Sequence, residues 1–174
     1  GDFQSVRDIP YLYFGVIKNY KGLDELLKQW PASSPLIMLG KCENLSLSRQ
    51  LTRIIQERSL DVVWRNEFVD YKELSSLIGR TQTVVLPHAD NTMIVSGAFY
   101  HAISLGTNVL IRDGDFYQNY LKRFSFVTSY NNESLLGTMA STVNELPDNI
   151  AAQIETEFSD DVVFDAWEKV FNGR

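Results

Sequence analysis

Two lysines follow the first apolar run of the chain across a glycine turn, Phe14-Gly15-Val16-Ile17-Lys18-Asn19-Tyr20-Lys21-Gly22. Glycine permits a sharp turn, and a helix opening just beyond it offers unpaired N–H groups and a positive dipole end, to which Lys18 and Lys21 add mobile charge. This arrangement suits a phosphate; the same lysines also fit an ordinary solvated loop. A second place of this kind is Val84-Val85-Leu86-Pro87-His88, then a polar stretch, then Ser96-Gly97-Ala98. Ser96 is suited to cap a helix, and Gly97 and Ala98 leave its first N–H groups open to an anion, although a plain capped helix reads the same way. Neither segment is a Walker A loop or a GxGxxG fingerprint, so ATP and NAD lose their best support.

Other residues with chemical reach are scattered. His88 and Asp90 fit a loop that touches sugar hydroxyls or simply meets solvent. Arg65 and Asn66 follow the third apolar run; if that run is a strand of a parallel α/β sheet, a nucleobase would lie at its carboxyl end, and a surface arginine fits equally. Asp113 and Asp115 do not make a metal pair, and no Cys/His cluster supplies zinc ligands, so no metal is expected. Trp30, Trp64 and Trp167 stand far apart among apolar neighbours, which marks packing rather than a sugar-stacking platform.

These residues need a scaffold, and the pattern supplies one. Short apolar runs alternate with amphipathic stretches, as in βαβ units whose strands are buried on both faces. Strands are expected at Tyr11 to Gly15, Leu36 to Leu39, Asp61 to Trp64, Thr83 to Leu86, Asn108 to Ile111 and Phe126 to Thr128. Helices are expected at Leu23 to Trp30, Leu45 to Arg58, Tyr71 to Ile78 and Gly97 to Leu105, with Gly79 and Gly106 as left-handed caps. Further helices are expected near Phe116 to Lys122, Glu133 to Val143, Ile150 to Phe158 and Asp161 to Phe171, with a turn at Pro147 and Asp148. The result is an α/β, Rossmann-like open parallel sheet of about six strands flanked by helices, with ligands outside the carboxyl ends of the strands.

The 174 residues fit one domain, and 44% hydrophobic and 12% aromatic content suffices for a core without staples. A net charge of −6 argues against nucleic acid or anionic lipid as partner. Cys42 is the single cysteine and cannot close an internal disulfide, which favours a reducing, cytoplasmic compartment; no run is long enough to span a bilayer. A start at Gly1 rather than methionine reads as a piece of a longer protein.

The order of segments from Tyr11 to Tyr130 resembles the C-terminal donor domain of retaining GT-B glycosyltransferases, the large family-four group. Four blocks carry the resemblance: Phe14-Gly15 with Lys21-Gly22; Leu36-Ile37-Met38-Leu39-Gly40; Asp70-Tyr71-Lys72-Glu73-Leu74; and Leu86-Pro87, then Ser96-Gly97-Ala98, then Ala102 to Leu110 with Gly106 and Val109. The resemblance implies one lobe of a GT-B fold that binds a nucleotide-diphosphate sugar for hexosyl transfer to a hydroxyl acceptor with retention, as in polysaccharide biosynthesis. It assigns the donor diphosphate to Lys21 and to the N–H groups of Ser96, Gly97 and Ala98, with no metal cofactor; Gly15 and Lys18, read from their place in the glycine turn, are expected alongside. The N-terminal acceptor-binding lobe is absent, so the isolated domain is expected to be inactive. The full-length protein would be cytoplasmic or peripheral at the inner membrane.

Three positions depart from the family pattern. Val16 stands where a second phosphate-binding arginine is usual, and Met93 and His101 stand where two glutamates are usual. His101 retains the capacity for one hydrogen bond to a ribose. A divergent enzyme is the preferred explanation; the alternatives are a nucleotide-sugar epimerase lobe or a non-catalytic binding domain derived from a glycosyltransferase. A receiver-like domain is disfavoured because no acidic cluster follows the first strand.

Overall fold

A computed structural model describes residues 6–88, 97–114, 118–121, 123–142 and 144–158. The apolar runs form β1 (Ile9–Phe14), β2 (Leu36–Leu39), β3 (Val62–Arg65), β4 (Thr81–Leu86), β5 (Asn108–Arg112) and β6 (Val127–Tyr130). All five pairings are parallel, in the order β3-β2-β1-β4-β5-β6. This is the Rossmann-like open parallel sheet that the alternating pattern predicts. Its strand order reverses between β1 and β4, and there the connecting chains leave in opposite directions and open a crevice.

The helices are α1 (Leu23–Gln29), α2 (Leu45–Glu57), α3 (Tyr71–Gly79), α4 (Gly97–Ser104), α5 (Gln118–Leu121), α6 (Leu135–Ser141) and α7 (Pro147–Phe158). They cover both faces of the sheet, and alternate strand residues serve opposite layers. Leu12, Phe14, Val84, Leu86, Val109 and Ile111 pack with Ile78, Phe99, Ile103 and Ile150 from α3, α4 and α7. Tyr13, Met38, Val85 and Leu110 pack instead with Leu26, Leu27, Leu51, Ile54 and Leu135 from α1, α2 and α6. Trp30 and Leu27 are fully enclosed in this second layer. The packing role expected for Trp30 is therefore met, and its indole donates to the Ser34 carbonyl at 2.9 Å.

Side-chain caps fix where two of the helices begin. The Asn44 carboxamide accepts from Leu47 N at 3.0 Å and starts α2, and the Asp70 carboxylate accepts from Glu73 N at 3.0 Å and starts α3. Gly106, at φ +66°, stands just beyond α4 as expected.

Two sequence readings are corrected. Gly79 is the last helical residue of α3 rather than a left-handed cap, and Arg80 follows it in right-handed geometry. Pro147 and Asp148 do not form a turn between helices: Pro147 opens α7, because proline's missing N–H and fixed φ are compatible with a first helical turn. The helix expected at 161–171, with Trp167, lies outside the described residues.

Candidate functional site

Gly15 ends β1 at φ +127°, a conformation that favours glycine. Its N–H donates to Leu39 O at 3.0 Å, and Ile17 N donates to Lys41 O at 3.0 Å, so the turn is laced along the carboxyl end of β2. Gly40 makes this approach possible: a Cβ there would stand 2.0 Å from the Gly15 carbonyl oxygen. The chain then makes a 3-10 turn at Asn19–Lys21 and reaches Gly22, at φ +71°, which caps α1. A Cβ on Gly22 would lie 2.7 Å from the Pro87 carbonyl oxygen. The start of α1 is thereby pressed against the end of β4, and Lys21 is carried to the switch point.

The two lysines, joined by the Lys21 N–H donating to the Lys18 carbonyl at 3.0 Å, differ in exposure. Lys18 is exposed, whereas Lys21 is half-buried with its ammonium 5.2 Å from the Tyr20 ring centroid. The Tyr20 ring in turn meets His88 edge-on, with centroids 5.1 Å apart. Lys21, Tyr20 and His88 therefore form one cluster between the ends of β1 and β4.

Across the crevice, α4 begins with exposed Gly97 and half-buried Ala98, and no described atom lies within 4 Å of where a Gly97 Cβ would be. Ser96, Met93 and Asp90 lie outside the described residues, as does Asp115. His101 is placed behind this helix start and is largely committed to packing. Its Nε2 lies 3.1 Å from Ser75 Oγ, its ring stacks on Tyr71 at 5.1 Å, and it meets the Phe14 ring edge-on at 5.8 Å. Burial pushes its pKa below the usual imidazole value. A ribose contact would have to use the other ring nitrogen.

On the β2 side, a cleft of about 150 Å³ opens beside Gly15 and is lined by Val16, Gly40, Lys41, Phe68 and Leu74 among others. Arg65 and Asn66, singled out in sequence as nucleobase neighbours, hold the scaffold here. Arg65 binds Glu67 at 2.6 Å and Glu73 at 2.6 Å, which raises its pKa, and Asn66 Oδ1 accepts from Cys42 N at 2.8 Å. Phe68 lines the same cleft and is 71% exposed, a residue that sequence reasoning missed. The available signal was an aromatic residue inside the polar loop Asn66-Glu67-Phe68-Val69-Asp70.

Arg112 was missed as well. Its Nη1 is 2.5 Å from Glu25 Oε2, and 3.4 Å from the place where a Gly22 Cβ would stand. Asp113 is exposed, and its N–H donates to Tyr130 O at 2.8 Å. Among the described residues, no group of three His, Cys, Asp or Glu side chains is placed to hold a metal ion, and no helix is long and apolar enough to cross a membrane.

No protein-family model matches the sequence, and no curated protein matches it. Solved structures do match the fold. The lipopolysaccharide outer core galactosyltransferase WaaB superposes with a TM-score of 0.74 at 16% identity, covering 100% of this chain and 54% of that one. Sucrose-phosphate synthase from Thermosynechococcus elongatus gives 0.70 at 15% identity, over 97% of this chain and 47% of that one. The C-terminal domain of a glycosyl transferase group 1 family protein, LpcC, from Francisella tularensis gives 0.65 at 11% identity, over 87% of this chain and 88% of that one. The chain thus has the fold of one lobe of a GT-B glycosyltransferase, and it spans about half the length of the first two of these proteins.

Proposed function

We propose that this lobe binds the nucleotide-diphosphate sugar of a glycosyltransferase, for transfer to a hydroxyl acceptor with retention. The observation that carries the reading is the convergence, at the carboxyl ends of β1 and β4, of the Gly15 turn, half-buried Lys21 and the first turn of α4 from Gly97 and Ala98, whose His101 meets Phe14 of β1. A diphosphate there meets the Lys21 ammonium and the first N–H groups of α4, which stabilise the charge that grows on the departing nucleotide without a metal ion. The nucleobase then enters the cleft beside Gly15, with its face on Phe68 and its edge toward Lys41. The sugar points out of the crevice, toward an acceptor held by a second lobe that this chain does not include. The lobe alone therefore binds a donor and turns nothing over. The setting that suits such an enzyme is polysaccharide assembly, in the cytoplasm or at the inner face of the membrane.

Calorimetric titration with UDP, GDP, ADP and NAD tests the reading. One nucleoside diphosphate binds in preference to NAD, and Lys21→Ala weakens it about tenfold, the scale of one charge-assisted hydrogen bond. A preference for NAD, or binding indifferent to Lys21, refutes the assignment.

A further inference from the structure

The diphosphate of a sugar nucleotide carries two negative charges, and Lys21 offsets one. The guanidinium that approaches the same place belongs to Arg112, at the carboxyl end of β5. Its Nη1 reaches to 3.4 Å of the Cβ position of Gly22, the residue after Lys21, and Gly22 is itself pressed on Pro87 at the end of β4. The Arg112 side chain is only 22% exposed, whereas its partner Glu25 is 45% exposed. Beneath it lies Tyr130, paired with Arg112 in the β5–β6 register and 2% exposed, with its hydroxyl unpartnered among the described residues. The buried ring lowers the local dielectric on that side, so the Arg112 charge is less screened there than toward solvent. Glu25 uses one corner of a guanidinium that has five N–H donors in a planar fork, a shape matched to phosphate oxygens.

Taking the donor reading as its basis, we infer that Arg112 is the second cation of the diphosphate site, held in place by Glu25 until the diphosphate competes for it. Glu25 is then a positioning residue with two opposed effects. It orients Arg112 toward the crevice, and its negative charge weakens the attraction of an incoming anion. The two members of the ion pair are thereby separable. If the pair served only to fasten α1 to β5, removing either member would have the same consequence. If Arg112 binds ligand, neutralising Arg112 and neutralising Glu25 shift affinity in opposite directions.

The experiment is calorimetric titration of the 174-residue chain with UDP, GDP, ADP and inorganic pyrophosphate, repeated on Arg112→Gln, Arg112→Lys, Glu25→Gln and Lys21→Ala, with a thermal melt of each variant. The expected result is a Kd about tenfold higher for Arg112→Gln, a smaller rise for Arg112→Lys, and a Kd lower by about twofold or more for Glu25→Gln. If Arg112→Gln does not fold, the opposite directions of Arg112→Lys and Glu25→Gln decide the matter. Loss of affinity in Lys21→Ala, with Arg112→Gln unchanged or Glu25→Gln weakened, overturns the role of Arg112 and leaves the donor reading standing. If neither the nucleoside diphosphates nor pyrophosphate binds the unaltered chain, the donor reading fails and this inference fails with it.

Discussion

Replacing Gly40 by alanine tests the construction of the site at its tightest point. The new methyl carbon would stand 2.0 Å from the Gly15 carbonyl oxygen, 3.0 Å from its carbon and 3.4 Å from Ile17 Cγ1. Carbon and oxygen do not approach closer than about 3 Å without bonding, so the Gly15 turn must retreat from β2 by roughly 1 Å. Two hydrogen bonds oppose that retreat, Gly15 N to Leu39 O and Ile17 N to Lys41 O, both 3.0 Å. Overpacking costs about 1–3 kcal/mol and each strained bond adds about 0.5–1.5 kcal/mol, which places the destabilisation at about 2–6 kcal/mol. For a chain of this size the expected fall in Tm is roughly 5–15 °C, read by circular dichroism. Gly79→Ala is the internal comparison. It lies on a helix with nothing within 4 Å of the added carbon and stabilises by about 0.4–1 kcal/mol through the unfolded state. A Gly40→Ala protein that melts within about 2 °C of the parent would refute the close approach of β1 and β2 on which the position of Gly15 depends.

Gly137→Ala, inside α6 with nothing described within 4 Å of the added carbon, raises stability by about 0.5–1 kcal/mol in urea titration; a loss would mean that the helix is not where it is placed. Arg7 donates to the carbonyls of Thr81 and Leu105 and to Thr107 Oγ1. Arg7→Met strands these acceptors and costs about 2–4 kcal/mol, whereas a neutral result would remove Arg7 from the scaffold. His101 has a folded-state pKa below its ordinary value of about 6.5, so the unfolded chain binds the proton more tightly. Its unfavourable contribution is absent above about pH 6.5 and grows as pH falls through that value toward the lower folded one, so His101→Gln flattens the fall in urea midpoint over this window. An unchanged pH profile would show that His101 titrates alike in both states.

The sheet was legible because parallel strands buried on both faces read as short apolar runs, and Leu36–Leu39 falls where the run of four apolar residues predicts. Strand ends were less legible, since polar Thr81 and Gln82 continue β4 through backbone pairing that side-chain type does not announce. Gly79 and Pro147 were misread because each residue type serves two backbone roles, and local sequence does not say which the tertiary contacts select. The site divides in the same way. The Gly15 turn and Lys21 are local and visible, and the structure brings them to the switch point. Arg65 looks like a free cation in sequence, but Glu73, eight residues on, is folded back onto it across the start of α3. Arg112 comes beside Gly22 and Glu25 only through the register of β5 beside β4 and the packing of α1 over both, information distributed over most of the chain.

The most direct test of the donor-binding account is an amide chemical-shift titration of the ¹⁵N-labelled chain with UDP, GDP and ADP. The account predicts that one of them produces saturable shifts at Gly15 to Gly22, Gly40, Lys41, Phe68, Gly97 and Ala98, at the carboxyl ends of the strands. Shifts centred instead on Arg7, Gly79 and Gly106 at the opposite end of the sheet, or no shifts with any of the three at millimolar concentration, would contradict it.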